Sequence, residues 1–276
     1  MRAAFQGEPG AYSEEAGRAY YGAVEMVPCE TFEDVFLAVT NGTCDSGLIP
    51  IENSLAGSIH QNYDLLLRYA LHITGEYTLR VRHCLIGFPD ADISSISKVI
   101  SHPQALGQCA ASLRKLGLKT EAVYDTAGSV KLLKASGDPT WAAIASRRAA
   151  EIYGMRILRE DFEDNPENYT RFLEIMPRPR IFQGSAKTSI VFTVKNEPGA
   201  LYKALNAFAA RNIDLTKIES RPLVDKTWDY LFYIDFTGAV GTEPVDGALE
   251  ELGRSALLLR VLGCYPRFRD ELQQKY

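Results

Sequence analysis

Two hydrophobic rhythms alternate along residues 1–176. Apolar runs such as Val24-Glu25-Met26-Val27 and Ser46-Gly47-Leu48-Ile49-Pro50-Ile51 predict strands. Between them Phe32, Val35, Phe36 and Val39 fall at helical spacing and make one buried stripe. Thr31, with Asp34 three residues on, predicts a capping box at the start of that helix. The pattern returns at Lys98-Val99-Ile100-Ser101, a strand, followed by Pro103 at a favoured first helical position. Leu106, Cys109, Ala110 and Leu113 mark the face of that helix, and strands at 121–124 and 141–144 continue the series. Such alternation predicts a mostly parallel sheet with helices on both faces, taking its ligand at the carboxyl ends of strands where two lobes meet.

The rhythm breaks at Pro177-Arg178-Pro179-Arg180, which cannot continue a central strand and reads as a linker. Beyond it Ile190, Phe192 and Val194 alternate along a strand, and a helix starting near Pro198 buries Leu201, Leu205 and Phe208. Residues 213–219 and 228–236 read as two strands, the second alternating through Trp228, Tyr230, Phe232, Ile234 and Phe236. A helix with Val245, Ala248, Leu249 and Leu252 and a strand at 257–262 complete a βαββαβ order, the ferredoxin-like split βαβ unit. At about 80 residues this unit is marginally stable alone, so pairing with a second copy suits it.

Composition narrows the function. The 276 residues are 46% hydrophobic, an ordinary globular share, which allows one large domain or two smaller ones. A net charge of −5 argues against a general nucleic-acid or membrane-surface binder, so an anionic ligand must be met by a local pocket. Five cysteines without a C-x-x-C pair, no signal-peptide core at Met1-Arg2-Ala3-Ala4 and no long apolar run predict a reduced cytoplasmic protein without a transmembrane helix.

Chemistry concentrates in loops behind predicted strands. Gly7-Glu8-Pro9-Gly10-Ala11-Tyr12-Ser13, Pro50-Ile51-Glu52-Asn53-Ser54, Ser101-His102-Pro103-Gln104 and Asp125-Thr126-Ala127-Gly128 each read as a polar helix start. Ser54, Ser101 and Asp125 are ordinary N-cap types, so each loop has a structural reading beside a ligand-binding one. Together, four helix starts could converge in one cleft and bind a small dianion without lysines. His60, His72, His83 and His102 lack metal-ligand spacing, and no phosphate loop, dinucleotide fingerprint or nucleophile elbow occurs. The predicted chemistry therefore needs no metal and no cofactor. Asn168-Tyr169-Thr170-Arg171-Phe172 places an amide, a hydroxyl and a guanidinium at a loop–strand junction, either as turn caps or as donors to an anion.

These motifs together resemble the prephenate dehydratase family. The resemblance rests on the G-x-x-G-A-Y-S start, I-P-I-E-N-S, H-P-Q-A-L, Thr170-Arg171-Phe172, and, in the C-terminal unit, Gly199-Ala200-Leu201 and Glu219-Ser220-Arg221-Pro222. It implies an α/β fold: a two-lobed, periplasmic-binding-protein-like catalytic domain over 1–178 plus a ferredoxin-like βαββαβ ACT regulatory domain over 186–270. One lobe would hold 1–78 with 155–178, the other 79–154. No room remains for a mutase or dehydrogenase domain, which implies the monofunctional form. The implied reaction is loss of carbon dioxide and the ring hydroxyl from prephenate, giving phenylpyruvate for phenylalanine biosynthesis.

By the same resemblance Thr170, Arg171 and Asn168 are catalytic, with Thr170 assisting the departing hydroxyl. An alcohol is a poor acid, so a hydrogen bond from Thr170 fits better than proton transfer. Asn53, Ser54, Gln104, Ser146, Ser13, Thr126 and Phe172 are the implied substrate contacts. Gly199, Ala200, Leu201, Asn212, Leu215, Glu219 and Ser220 are the implied phenylalanine positions, at an interface that implies a homodimer or homotetramer and feedback inhibition. His60-Gln61 departs from many relatives, and Asp125-Thr126-Ala127-Gly128 resembles the version common in plant arogenate dehydratases. Arogenate therefore stays open as the substrate, and a non-catalytic amino-acid sensor with the same domains is the reading from another class.

Overall fold

The computed structural model describes residues 1–180, 185–223 and 230–268. The chain begins β1 (Arg2–Gln6), α1 (Tyr12–Tyr21), β2 (Glu25–Cys29), α2 (Phe32–Thr40), β3 (Ser46–Asn53), β4 (Gly57–Ser58), α3 (His60–Arg68) and β5 (His72–Arg80). It continues β6 (Cys84–Gly87), β7 (Lys98–Ser101), α4 (Pro103–Gln108), α5 (Ala110–Lys115), β8 (Lys119–Ala122), α6 (Thr126–Ser136), β9 (Trp141–Ala145), α7 (Arg147–Tyr153), β10 (Arg156–Arg159) and β11 (Tyr169–Met176). It ends β12 (Ala186–Val194), α8 (Ala200–Ala209), β13 (Leu215–Pro222), β14 (Tyr230–Thr237), α9 (Glu243–Ser255) and β15 (Ala256–Pro266). Contacts gather Met1–Asn62 with Tyr77–Phe172 in one compact unit and Tyr63–Glu76 with Leu173–Tyr276 in another.

Three sheets organise these elements. The first runs β2-β1-β3-β11-β5, with β4 on β3; the second runs β10-β6-β9-β7-β8. Helical crossovers make β1 parallel to β2 and β3, and β7 parallel to β8 and β9. The prediction of a mostly parallel sheet fails at β6 and β10, where β6 pairs antiparallel with both β9 and β10. A short connection without a helix leads into β6, and only helical crossovers impose parallel pairing. β5 of the first sheet reaches Arg80 and β10, which ends at Arg159, belongs to the second, beside the crossings near 78 and 155 that the resemblance implies.

Local chemistry sets the helix starts. Thr31 and Asp34 form the predicted capping box, each side chain bonding the other's backbone N–H. His102, Asp125 and Ser146 cap α4, α6 and α7, accepting from the N–H groups of Gln104, Gly128 and Ala149. The cap of α4 is therefore His102 and not Ser101, whose hydroxyl instead donates to the Ile144 carbonyl at 2.6 Å. The loop after β3 is no helix start: β3 turns back through the β4 hairpin, and α3 begins only at His60. In the second sheet, alanines at 142, 143 and 145 let helices pack closely, with Ala127, Val130 and Leu133 of α6 seated against Ile86, Ile100 and Ala143. Gly10, at φ 93°, brings the loop before α1 onto α7, where a β-carbon would lie 2.7 Å from the Ala149 α-carbon.

The second unit holds the βαββαβ motif as an antiparallel sheet, β13-β14-β12-β15. The strand expected over 228–236 is described from Tyr230; Trp228 and the expected boundary at 270 lie outside the described residues. One sheet face carries Ile190, Phe192, Ile234 and Phe236 against Ala204, Phe208, Val245 and Leu252 of the two helices. The other face is covered by residues 63–76, which explains why every residue of β12 is buried. Tyr233 donates to the Tyr63 carbonyl at 3.0 Å, Arg221 pairs with Asp64 at 2.7 Å, and Lys187 pairs with Glu76 at 2.8 Å. Gly263 permits this covering, because a β-carbon there would sit 2.0 Å from the Ile73 carbonyl oxygen. No helix among the described residues is long and apolar enough to cross a membrane.

Candidate active site

The carboxyl end of β3 and the start of β11 lie side by side and bring Asn53 to Asn168 and Thr170. Asn53 Oδ1 accepts from the Leu55 and Ala56 N–H groups at 3.0 and 2.9 Å, which turns Nδ2 inward. Nδ2 then shares its two hydrogens among Asn168 Oδ1 at 2.8 Å, Thr170 Oγ1 at 3.0 Å and the Tyr169 carbonyl at 3.1 Å. Asn168 is fully buried, and Thr170 is 9% exposed. Because Thr170 Oγ1 accepts from Asn53, its own proton is available as a donor on the wall of an adjoining cavity.

That cavity, about 120 Å³, is lined by Tyr12, Asn53, Val81, His83, His102, Gln104, Ala105, Gln108, Thr126 and Thr170. Gln104 and Gln108 also border a recess of about 340 Å³ with Leu55, Ala56, Gly107, Asp164 and Asn165. Together they reach the size of small-molecule sites, ~300–1,000 Å³. Every side chain on the smaller cavity is uncharged or an imidazole. Burial pushes the Tyr12 phenol well up and the His83 imidazole down, so both stay neutral near pH 7. The Asp164 carboxylate is already spent on the Ala111 and Ser112 N–H groups, which hold it below the usual range against its partial burial.

The structure sorts the residues singled out in the sequence. Asn53, Gln104, Thr126, Asn168 and Thr170 gather at or beside the cavity. Arg171 does not: it lies on the opposite face of β11 from Thr170 and pairs with Glu52 at 3.0 Å. Phe172 is core, packed with Ala16, Leu48 and Leu79. Ser54 ties two loops, donating to the Glu167 carbonyl and accepting from the Tyr169 N–H. Ser146 is likewise spent, donating to the Gly10 carbonyl at 2.6 Å while capping α7. Ser13 is buried in the first turn of α1, outside the cavity lining, where its neighbour Tyr12 takes part.

Sequence reasoning passed over Tyr12, Val81, His83, His102 and Gln108 as site residues. One signal was present: Gln108 follows Gln104 by four residues, so both share a helical face. In the C-terminal unit a register shift between Leu215 and Lys217 sets the faces of β13. Leu215 and Ser220 pair with Phe236 and Phe232 on the helix side, whereas Glu219 pairs with Tyr233 on the other face and lies 3.7 Å from Lys217. Gly199, at φ 82°, caps α8 ahead of Ala200 and Leu201, and Asn212 adopts φ 55° after it.

A donor-rich cavity without carboxylate, lysine or arginine side chains, on an α/β scaffold in a chain that also carries a split βαβ unit, has the form of a small-molecule site. Residues 3–180 match the family model described as prephenate dehydratase, and residues 188–254 match the ACT domain. The chain is 49% identical over 278 residues to arogenate dehydratase/prephenate dehydratase 2, chloroplastic, of Arabidopsis thaliana, covering 96% of this chain and 73% of that one. Among solved structures it resembles prephenate dehydratase in complex with L-Phe from Arthrobacter aurescens, with TM-score 0.89, 30% identity and coverage of 97% and 90%. It also resembles GqqA, described as a novel type of quorum quenching acylase, with TM-score 0.91, 35% identity and coverage of 99% and 100%. The chain belongs to the prephenate dehydratase family, carries an ACT domain, and is a lyase.

Proposed function

We propose that this protein is a prephenate dehydratase that converts prephenate to phenylpyruvate and is inhibited by phenylalanine. The observation that carries the reading is the Thr170 hydroxyl, fixed by Asn53 with its proton available to the cavity. The bond to the ring carboxylate breaks and its electron pair enters the ring. The ring carbon–oxygen bond then breaks, the ring becomes aromatic, and hydroxide departs with a proton as water. A hydrogen bond from Thr170 stabilises the oxygen as charge develops on it. No lysine or arginine lines the cavity to hold back the departing carboxylate.

The free donor on the cavity lining favours prephenate over arogenate. Gln108 Nε2 is a buried donor without a partner among the described residues, and it suits the side-chain ketone of prephenate. An ammonium group there would oppose donor to donor. An acylase reading lacks this support, because the partner of the Thr170 hydroxyl is an amide, which cannot act as its base. Exposed Tyr202, Ile218 and Leu257 on the ACT domain suit a second copy, so the protein works as a homo-oligomer, with phenylalanine held between copies. Five free thiols suit the reducing cytoplasm.

Incubation with prephenate, following phenylpyruvate with and without phenylalanine, tests the proposal. Turnover inhibited by phenylalanine is the expected result, and a higher kcat/KM for prephenate than for arogenate in competition. No turnover by folded protein on either substrate would favour the sensor reading. Asn53→Asp keeps the acceptor for Leu55 and Ala56 but removes the donor to Thr170 and Asn168. It is expected to lower kcat/KM by about 10²-fold, measured in the same assay against far-UV circular dichroism as the fold control.

A further inference from the structure

One backbone anchor fixes the orientation of a whole chain of side chains. With Asn53 Oδ1 held by two N–H groups, Asn168 must offer Oδ1 to Asn53 and turn its Nδ2 to Gln108 Oε1, at 3.1 Å. Gln108 Oε1 is thereby an acceptor, so His83 Nε2, 2.7 Å away, must carry a proton. At the other ring nitrogen, the Tyr12 hydroxyl lies 2.8 Å from His83 Nδ1 and 2.9 Å from the Arg82 carbonyl, and its single proton serves one of them. His83 is 2% exposed, and desolvation outweighs the opposing pull of Gln108 and Glu163 on its charge. Nε2 therefore carries a proton whichever partner the Tyr12 hydroxyl serves, and burial favours the neutral ring, in which Tyr12 donates to Nδ1 and the tautomer is Nε2–H.

We propose that His83 is a positioning residue: its Nε2–H, together with Asn168, pins Gln108 Oε1 and so holds the Gln108 NH₂ as a donor to the bound substrate. A flipped Gln108 amide would meet two donors and present its oxygen to an anion, so the imidazole decides which end of the amide the substrate encounters. Tyr12 acts one step further out by fixing the tautomer. The identity of the substrate rests on the dehydratase reading; the tautomer and the amide orientation do not.

Long-range proton–nitrogen NMR of the full chain, with His83 assigned through His83→Gln, is expected to show a neutral ring protonated at Nε2. A ring protonated at Nδ1 and not at Nε2 overturns the proposal, whether or not the variants fold. In kinetics and in calorimetric binding of prephenate, His83→Leu is expected to raise KM and Kd about tenfold while kcat changes less. His83→Gln still offers an N–H to Gln108 and is expected to return both to within about threefold of the native values. Unchanged KM and Kd in folded His83→Leu, or equal losses in both variants, overturns the proposal. Absence of turnover with prephenate still bound sinks the dehydratase reading alone, and the NMR result then decides this one.

Discussion

Thr170→Ala lowers kcat by about 10²–10⁴-fold, equivalent to roughly 3–5 kcal/mol of transition-state stabilisation. The size follows from what the hydroxyl does. Asn53 donates to the hydroxyl oxygen at 3.0 Å, so the hydroxyl proton is available to the cavity and, in the proposed reaction, to the oxygen on which charge develops. Such a bond is stronger in the transition state than to the neutral hydroxyl of the bound substrate, so kcat falls with kcat/KM and KM changes little. Thr170→Ser keeps the donor and is expected within about tenfold of the native rate. Steady-state kinetics on both variants, with folding checked by circular dichroism, decides the matter. A loss below about tenfold in folded Thr170→Ala removes the hydroxyl from the mechanism.

The largest expected effect on stability lies in the other unit. Lys187 and Glu76 form an ion pair at 2.8 Å, with side chains only 11% and 3% exposed. The second carboxylate oxygen of Glu76 accepts from the Phe268 N–H at 3.0 Å, so the acid is held on two sides. Lys187→Ala strips the cation from a buried anion and is expected to cost about 3–5 kcal/mol. The double variant Lys187→Met with Glu76→Gln removes both charges and is expected to recover most of that loss, because the desolvation of each ion disappears with it. Urea unfolding followed by near-ultraviolet circular dichroism measures both. An unchanged midpoint for Lys187→Ala would show that the pair contributes nothing at this position.

The residues differ in how far the sequence announced them. Thr31 and Asp34 announced a helix start correctly because capping is local: donor, acceptor and backbone lie within four residues. The alternation along β12 and β14 and the stripe of α8 marked the split βαβ unit for the same reason. Asn53, Gln104, Thr126 and Thr170 stood out as polar groups where strands end, and they do meet at one cavity. Arg171, beside Thr170 in sequence, lies on the other face of the strand, where Glu52 pairs with it, and sequence proximity could not show that. Ser54 and Ser146 bond to backbone carbonyls, and in sequence a hydroxyl that satisfies backbone groups resembles one that waits for a ligand.

What the sequence determined by itself is therefore periodic or local: the order of strands and helices, the caps, the break at Pro177, and a set of motifs specific enough to mark the family. What tertiary structure alone decided is long-range pairing. His83 meets Tyr12 and Gln108, and Asn168 meets Asn53, across separations of up to 115 residues. Residues 63–76 cover the ACT sheet although Glu76 and its partner Lys187 lie 111 residues apart in the chain. No propensity or spacing encodes such contacts. They arise because buried donors, acceptors and charges must each find a partner once water is excluded, and only the folded chain determines which partner is within reach.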